Sequence, residues 1–177
     1  KKYQWVALPL ALHGVVVKKD GRVVEGKLGE GEDDPVFCVT DLLPHLAQEQ
    51  MEKKAAKVVE GENLDVLVGS LPLAKKEKDA VKFGVLALLK EQYGISEDDF
   101  LSAELSLVPA GRAREMGFDR SLILGYGQDD RVCSYTSLAA MLETKPSKRT
   151  ACCLLVDKEE IGSVGATGMQ SRFFENM

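Results

Sequence analysis

The residues in this chain best suited to chemistry are acids that follow apolar runs. Ala151 to Val156 is an unbroken apolar stretch, and Asp157, Lys158, Glu159, Glu160, Ile161 and Gly162 come directly after it. Such a run suits a strand buried on both faces, as in a parallel sheet. The carboxyl end of such a strand is where open α/β sheets keep their ligand sites. Of two adjacent carboxylates there, one can hold a cation while the other moves a proton. Turns rich in Asp, Lys and Glu are also ordinary solvated strand ends. A second acidic loop changes that balance. Gly125 to Arg131 reads G-Y-G-Q-D-D-R and leads into a helical pattern. The chain between the two loops is long enough for a helix and a return strand, which could bring both to one sheet edge.

With two divalent ions at that edge, a carboxylate could bridge them and an unligated neighbour could act as general base. Asp129, in a loop before a helix, is placed to bridge. Glu159 and Glu160 divide into base and ligand. Carboxylates alone favour Mg or Mn, whereas zinc prefers some nitrogen or sulfur. The only imidazoles are His13, in an apolar strand, and His45, in the first turn of a helix. Neither has metal-site spacing, and each reads first as a packing or exposed residue. The four cysteines, Cys38, Cys133, Cys152 and Cys153, show no C-x-x-C spacing. They read as small, reduced, mostly buried side chains.

The elements that must position these acids follow from periodicity and turn chemistry. Tyr3 to Lys19 reads as strand, interrupted near Pro9, and Asp20-Gly21 marks a hairpin with a return strand over Arg22 to Glu25. Gly26 to Asp34 reads as an exposed, mobile loop and Pro35 to Thr40 as a strand. Asp41 caps an expected helix reaching about Val59. Leu64 to Val68 is strand-like, Lys75 to Tyr93 helical with Gly94 as its stop. Ser96 and Asp99 have capping-box spacing. Ala103 to Val108 alternates as a strand, and Pro109 to Phe118 reads as a connection. Ser121 to Leu124 is a short strand. A helix from Asp129 or Asp130 to about Glu143 would bury Val132, Cys133, Tyr135, Leu138, Ala139 and Leu142. A last helix starts near Met169. The expected fold is α/β: a β-rich part with two helices over 1–110, then a strand–helix–strand–helix part over 111–177, the first inserted into the sheet of the second.

A chain of 177 residues, 45% hydrophobic and 29% charged, has the composition of a globular protein. Its net charge of −5 and lack of a Lys/Arg stripe with aromatics argue against nucleic acid. No apolar run approaches a membrane span, and no signal peptide is evident, so the expectation is a cytoplasmic protein without membrane partners.

Three segments carry a resemblance: F-D-R-S (118–121), G-Q-D-D-R-V-C-S-Y-T-S-L (127–138) and L-V-D-K-E-E-I-G-S-x-G-A-T-G-M-Q-S-R-F-F (155–174). With L-P-H-L-A (43–47) and the 103–108 strand, they resemble the aminopeptidase I / aspartyl aminopeptidase family of zinc metallopeptidases. The resemblance implies a metalloaminopeptidase that releases N-terminal amino acids from peptides through a water bridged by two zinc ions. It implies Asp129 as bridging zinc ligand, Glu160 as terminal ligand and Glu159 as general base. His45 matches a histidine that reaches a partner subunit's active site and helps bind substrate. Residues 1–110 match an inserted dimerisation domain, 111–177 part of the catalytic α/β domain, and the family forms large homo-oligomers. The family also uses a His-x-Asp motif, a further carboxylate and a final histidine, and no His-x-Asp occurs here. The expectation is an internal fragment, inactive as an isolated chain.

The alternative from another class is a non-catalytic dimerisation or assembly module that binds no metal on its own. A carboxylate–magnesium phosphohydrolase is a third reading, weakened by the lack of a Gly-rich phosphate cradle with a Lys partner.

Overall fold

Leu10–Val17 forms β1, the central strand of a three-stranded sheet in the order β2-β1-β5, with β2 at Val23–Leu28 and β5 at Ala103–Pro109. Both pairings are antiparallel. The computed structural model describes residues 5–73 and 78–177. Two compact units divide the chain, Lys1–Ser121 and Leu122–Met177. The expected strand start at Tyr3 lies outside the described residues, and Pro9 precedes β1 as an interrupting proline should.

The hairpin between β1 and β2 forms where Asp20-Gly21 demands it. Gly21 N–H donates to the Lys18 carbonyl at 2.9 Å, and the Asp20 carboxylate accepts from the Arg22 backbone N–H at 3.0 Å. Gly21 sits at φ 83, a region that favours glycine. The return strand runs on to Leu28, further than the composition of Gly26 to Asp34 suggests. The rest of that segment is braced, since the Asp34 carboxylate accepts from the backbone N–H groups of Gly29, Glu30 and Gly31. The β1–β5 approach is tight at Gly14, where a Cβ would lie 2.1 Å from the Glu104 carbonyl oxygen. The buried residues of this unit include Leu10, Ala11, Val16, Val39, Ala47 and Ile95.

Cys38–Val39 (β3) and Val66–Leu67 (β4) make a second, two-stranded antiparallel ladder. The long helix expected from Asp41 to Val59 is replaced by short pieces. These are a 3-10 turn at Pro44–Leu46, the helix α1 at Gln48–Met51, and another 3-10 turn at Ala55–Lys57. The physical reason is lack of cover: Leu42, Leu43, Leu46 and Met51 are all more than half exposed. An amphipathic helix draws most of its stability from packing of its apolar face, and that packing is missing here.

Ala80–Tyr93 forms α2. The expected helix start at Lys75 lies outside the described residues. Gly94 ends α2 in the left-handed conformation, φ 64, with its N–H on the Lys90 carbonyl. The Ser96–Asp99 capping box is present on the following 3-10 segment, Glu97–Ser102. Lys18 Nζ donates to the Gly94 carbonyl at the end of α2, and Ser102 Oγ donates to the Val17 carbonyl, so the 3-10 segment is fastened to the end of β1. A short strand, β6 at Arg114–Met116, lies in the stretch that reads as a connection.

The second unit contains β7 (Leu122–Leu124), α3 (Gln128–Glu143) and α4 (Arg172–Glu175). Ala151 to Val156, expected as a doubly buried strand, is not in a ladder, and no strand among the described residues pairs with it. A strand of that composition needs hydrogen-bonding neighbours on both edges and layers on both faces. The expected buried face of α3 is likewise open: Val132, Tyr135, Leu138 and Leu142 are 43% to 77% exposed. Cys133 and Cys152 are exposed too, against the expectation of burial, and all four cysteines are free. α4 begins at Arg172 rather than Met169.

Candidate active site

Asp129 lies at the entrance to α3, where the backbone is not yet helical. Its φ/ψ are −91/109, those of Asp130 are −126/51, and the peptide bond joining them is cis. The two side chains have separate surroundings. The Asp130 carboxylate accepts from the Cys133 backbone N–H at 3.0 Å, which caps the regular helix beginning at Arg131. That leaves Asp129, which is exposed, as the carboxylate without a helix-capping duty. The Asp130 carboxylate also raises the pKa of the Cys133 thiol, first by hydrogen bonding and then by charge, with a smaller contribution from burial. A raised thiol pKa is the opposite of what a cysteine nucleophile needs.

Glu159 and Glu160 occupy a single 3-10 turn, Glu159–Ile161. Lys158 enters it in the left-handed region at φ 67 and Gly162 leaves it at φ 93. The turn is clamped from both sides by the chain that follows. On one side Asp157 N–H donates to the Thr167 carbonyl at 3.1 Å. On the other, Gln170 Nε2 donates to the Gly162 carbonyl at 2.7 Å, and Gln170 N–H to the Ser163 carbonyl at 3.2 Å. Within the turn, Gly162 N–H reaches the Glu159 carbonyl and Ser163 N–H the Lys158 carbonyl, each at 2.8 Å. Gly168 is buried against Ser163, and a Cβ there would lie 2.2 Å from the Ser163 carbonyl oxygen. Both glutamates remain exposed.

The turn therefore holds two exposed carboxylates as neighbours, on a backbone pinned by its own hydrogen bonds. Sequence reasoning found both glutamates but not the clamp. Its signal was the T-G-M-Q of 167–170, which reads as a turn into the last helix until the pairing of the two limbs is known.

His45 belongs to the first unit. It sits exposed in the 3-10 turn Pro44–Leu46. It lines a cleft of about 580 Å³ with, among others, Asp41, Gln48, Gln50, Lys53 and Asn63. The Asp41 carboxylate shapes this rim by accepting from Leu42 N–H at 2.9 Å and Gln50 Nε2 at 3.0 Å. His13, read as structural, has its Nε2 2.8 Å from a Glu30 carboxylate oxygen.

As a test for zinc, the donor set is telling. Asp129 and Glu160 supply carboxylate oxygen and no imidazole accompanies them. Among the described residues no group of three or more His, Cys, Asp or Glu could hold a metal ion. These residues alone do not make a zinc site.

The class of protein comes from comparison with known families rather than from the donor set. A family model described as aminopeptidase I zinc metalloprotease (M18) matches residues 1–177. A probable M18 family aminopeptidase 1 of Clostridium acetobutylicum is 63% identical over 177 residues, covering 99% of this chain and 38% of the relative. The corresponding protein of Thermotoga maritima is 50% identical over 174 residues, covering 98% of this chain and 38% of the relative. The crystal structure of aminopeptidase I from Clostridium acetobutylicum superposes with a TM-score of 0.84 at 62% identity, covering 99% of this chain and 39% of that one. The chain belongs to the aminopeptidase I (M18) family, and its mixed α/β fold is that of the solved aminopeptidase I structures. It spans about two fifths of the length of the curated relatives it matches, 38% of the first.

Proposed function

We propose that this chain is the part of a zinc-dependent M18 aminopeptidase that carries the general base and two of the metal-binding carboxylates. The parent enzyme releases N-terminal amino acids from peptides. Glu159 is the base, Asp129 the bridging ligand and Glu160 a terminal ligand. Two zinc ions per complete active site belong to this reading, with the remaining ligands contributed from outside these 177 residues. The supporting observation is the clamped turn that holds Glu159 and Glu160 side by side in a family described as zinc metalloproteases.

The chemistry of this chain's own part is proton transfer. An exposed carboxylate on a fixed turn can take a proton from an attacking water and return it to the departing amine. Fixing the turn matters because the base must reach the water without first reorganising the loop. His45 binds substrate, and the open cleft beside it, lined by both polar and apolar side chains, supports that role.

Residues 1–110 are proposed as the inserted dimerisation domain and 111–177 as part of the catalytic α/β domain, in a cytoplasmic homo-oligomer. Support comes from the apolar side chains Leu42, Leu43, Leu46 and Met51, which are exposed on the first unit. Among the described residues no helix is long and apolar enough to cross a membrane.

The test uses the Clostridium acetobutylicum relative with its matching segment replaced by these 177 residues. This grafted enzyme should cleave an aminoacyl-p-nitroanilide, and Glu159→Gln should lower its kcat by at least about 100-fold. Undiminished turnover by Glu159→Gln would remove the base assignment. The isolated chain should be inactive with added zinc, and turnover by it would overturn the fragment reading.

A second reading is a non-catalytic assembly module. It is favoured by the exposed apolar side chains of the first unit. Analytical ultracentrifugation of the isolated chain should then show dimers, and a strictly monomeric species at high concentration would count against it.

A further inference from the structure

We propose that Gln170 is a positioning residue for the Glu159–Glu160 turn. The proposal rests on the reading of Glu159 as base and Glu160 as ligand. Gln170 lies ten residues beyond Glu160 in the chain yet closes the turn that carries it. Its side-chain amide donates to the Gly162 carbonyl at 2.7 Å and its backbone N–H to the Ser163 carbonyl at 3.2 Å. Those two carbonyls belong to the residues that terminate the turn. Gly162 is in the left-handed region, which its lack of a Cβ permits, and its carbonyl is held there by Gln170.

Three features make the side-chain bond more than a surface contact. First, it fixes the exit of the turn, while Asp157 N–H on the Thr167 carbonyl fixes the entry, so the two glutamates lie between two clamps. Second, the close seat of Gly168 against Ser163 brings the Gln170 limb within hydrogen-bond reach, and any side chain at 168 would push it away. Third, a neutral amide makes this bond without placing a charge beside two carboxylates. Gln170 touches no reacting group itself. It acts through the backbone of Gly162 and Ser163.

Gln170→Ala removes the bond, and Gln170→Met removes the donor at similar length without adding a charge. In the 177-residue chain, amide exchange at Gly162 and Ser163 should quicken by about tenfold or more in both variants, with Gly94 in the other unit unchanged as control. In the grafted enzyme, kcat on an aminoacyl-p-nitroanilide should fall about 10- to 100-fold with KM held within about twofold. Unchanged exchange, unchanged kcat, or a loss confined to KM would overturn the positioning role. An active parent with an unaffected Gln170→Met variant defeats this role alone. An inactive grafted parent defeats the aminopeptidase reading, and the positioning role with it.

Discussion

The backbone N–H of Asp157 donates to the carbonyl of Thr167 at 3.1 Å, tying the entry of the acidic turn to the limb that returns past it. The Asp157 carboxylate reinforces the tie by accepting from Lys158 N–H at 2.8 Å and Thr167 Oγ1 at 3.4 Å. Asp157 is thus a structural acid, distinct from the duties proposed for Glu159 and Glu160. Asp157→Ala should quicken exchange of the Lys158 amide by about tenfold while leaving the Gly94 amide as it is. Equal protection in both proteins would show that the carboxylate does not brace the turn.

Gly168 and Gly61 offer a matched pair. A methyl at Gly168 meets the Ser163 carbonyl oxygen at 2.2 Å, whereas one at Gly61 meets nothing within 4 Å. Gly168→Ala should destabilise its unit by about 1–3 kcal/mol through forced backbone displacement. Gly61→Ala should stay within about 0.5 kcal/mol of the parent. Urea unfolding followed by probes in each unit checks both, and equal effects would contradict the packing described here.

The sheet of the first unit depends in the same way on Gly14, which faces the Glu104 carbonyl oxygen at 2.1 Å from an added Cβ. Gly14→Ala should part β1 from β5 locally and cost about 1–3 kcal/mol. Loss of amide protection along Ala103–Pro109 is the expected signature. Retained protection would mean that the sheet accommodates the methyl.

Acid should loosen particular loops before others. Asp34 has its pKa lowered, chiefly by the Gly31 N–H, and Asp99 has its pKa lowered by the Ser96 hydroxyl and then the Ser96 N–H. A carboxylate with a depressed folded pKa contributes stability that is complete above the unfolded value, about 3.9 for Asp. That contribution is lost as pH falls through the lower folded value. Amide protection at Gly29 to Gly31 and at Ser96 should therefore be flat above about pH 5 and fall below about pH 4. Loss of protection near neutral pH would contradict this assignment.

Local chemistry made much of this fold legible in the sequence. Asp20-Gly21 specified its hairpin, Gly94 its helix stop, and Ser96 with Asp99 their capping box, because each is settled by bonds within a few residues. The failures share one cause. Ala151 to Val156 was expected as a buried strand, and Val132 to Leu142 as a buried helix face. Both patterns state what a segment needs from distant partners, and the described residues do not supply those partners. The Asp41 to Val59 helix broke up for the same reason. At the site, the residue types pointed to Asp129, Glu159 and Glu160. The clamp by Thr167 and Gln170 stayed hidden because backbone carbonyls, which carry no sequence signal, accept most of its bonds.

The central claim is that Asp129 and Glu160 hold zinc beside Glu159 once the site is complete. Zinc-edge anomalous diffraction from crystals of the grafted enzyme tests it directly. The account predicts two zinc peaks per chain, with Asp129 oxygens about 2.0–2.2 Å from both and a Glu160 oxygen at that distance from one. Peaks bound by neither carboxylate, or two zinc ions retained in full by an Asp129→Asn, Glu160→Gln variant, would contradict it.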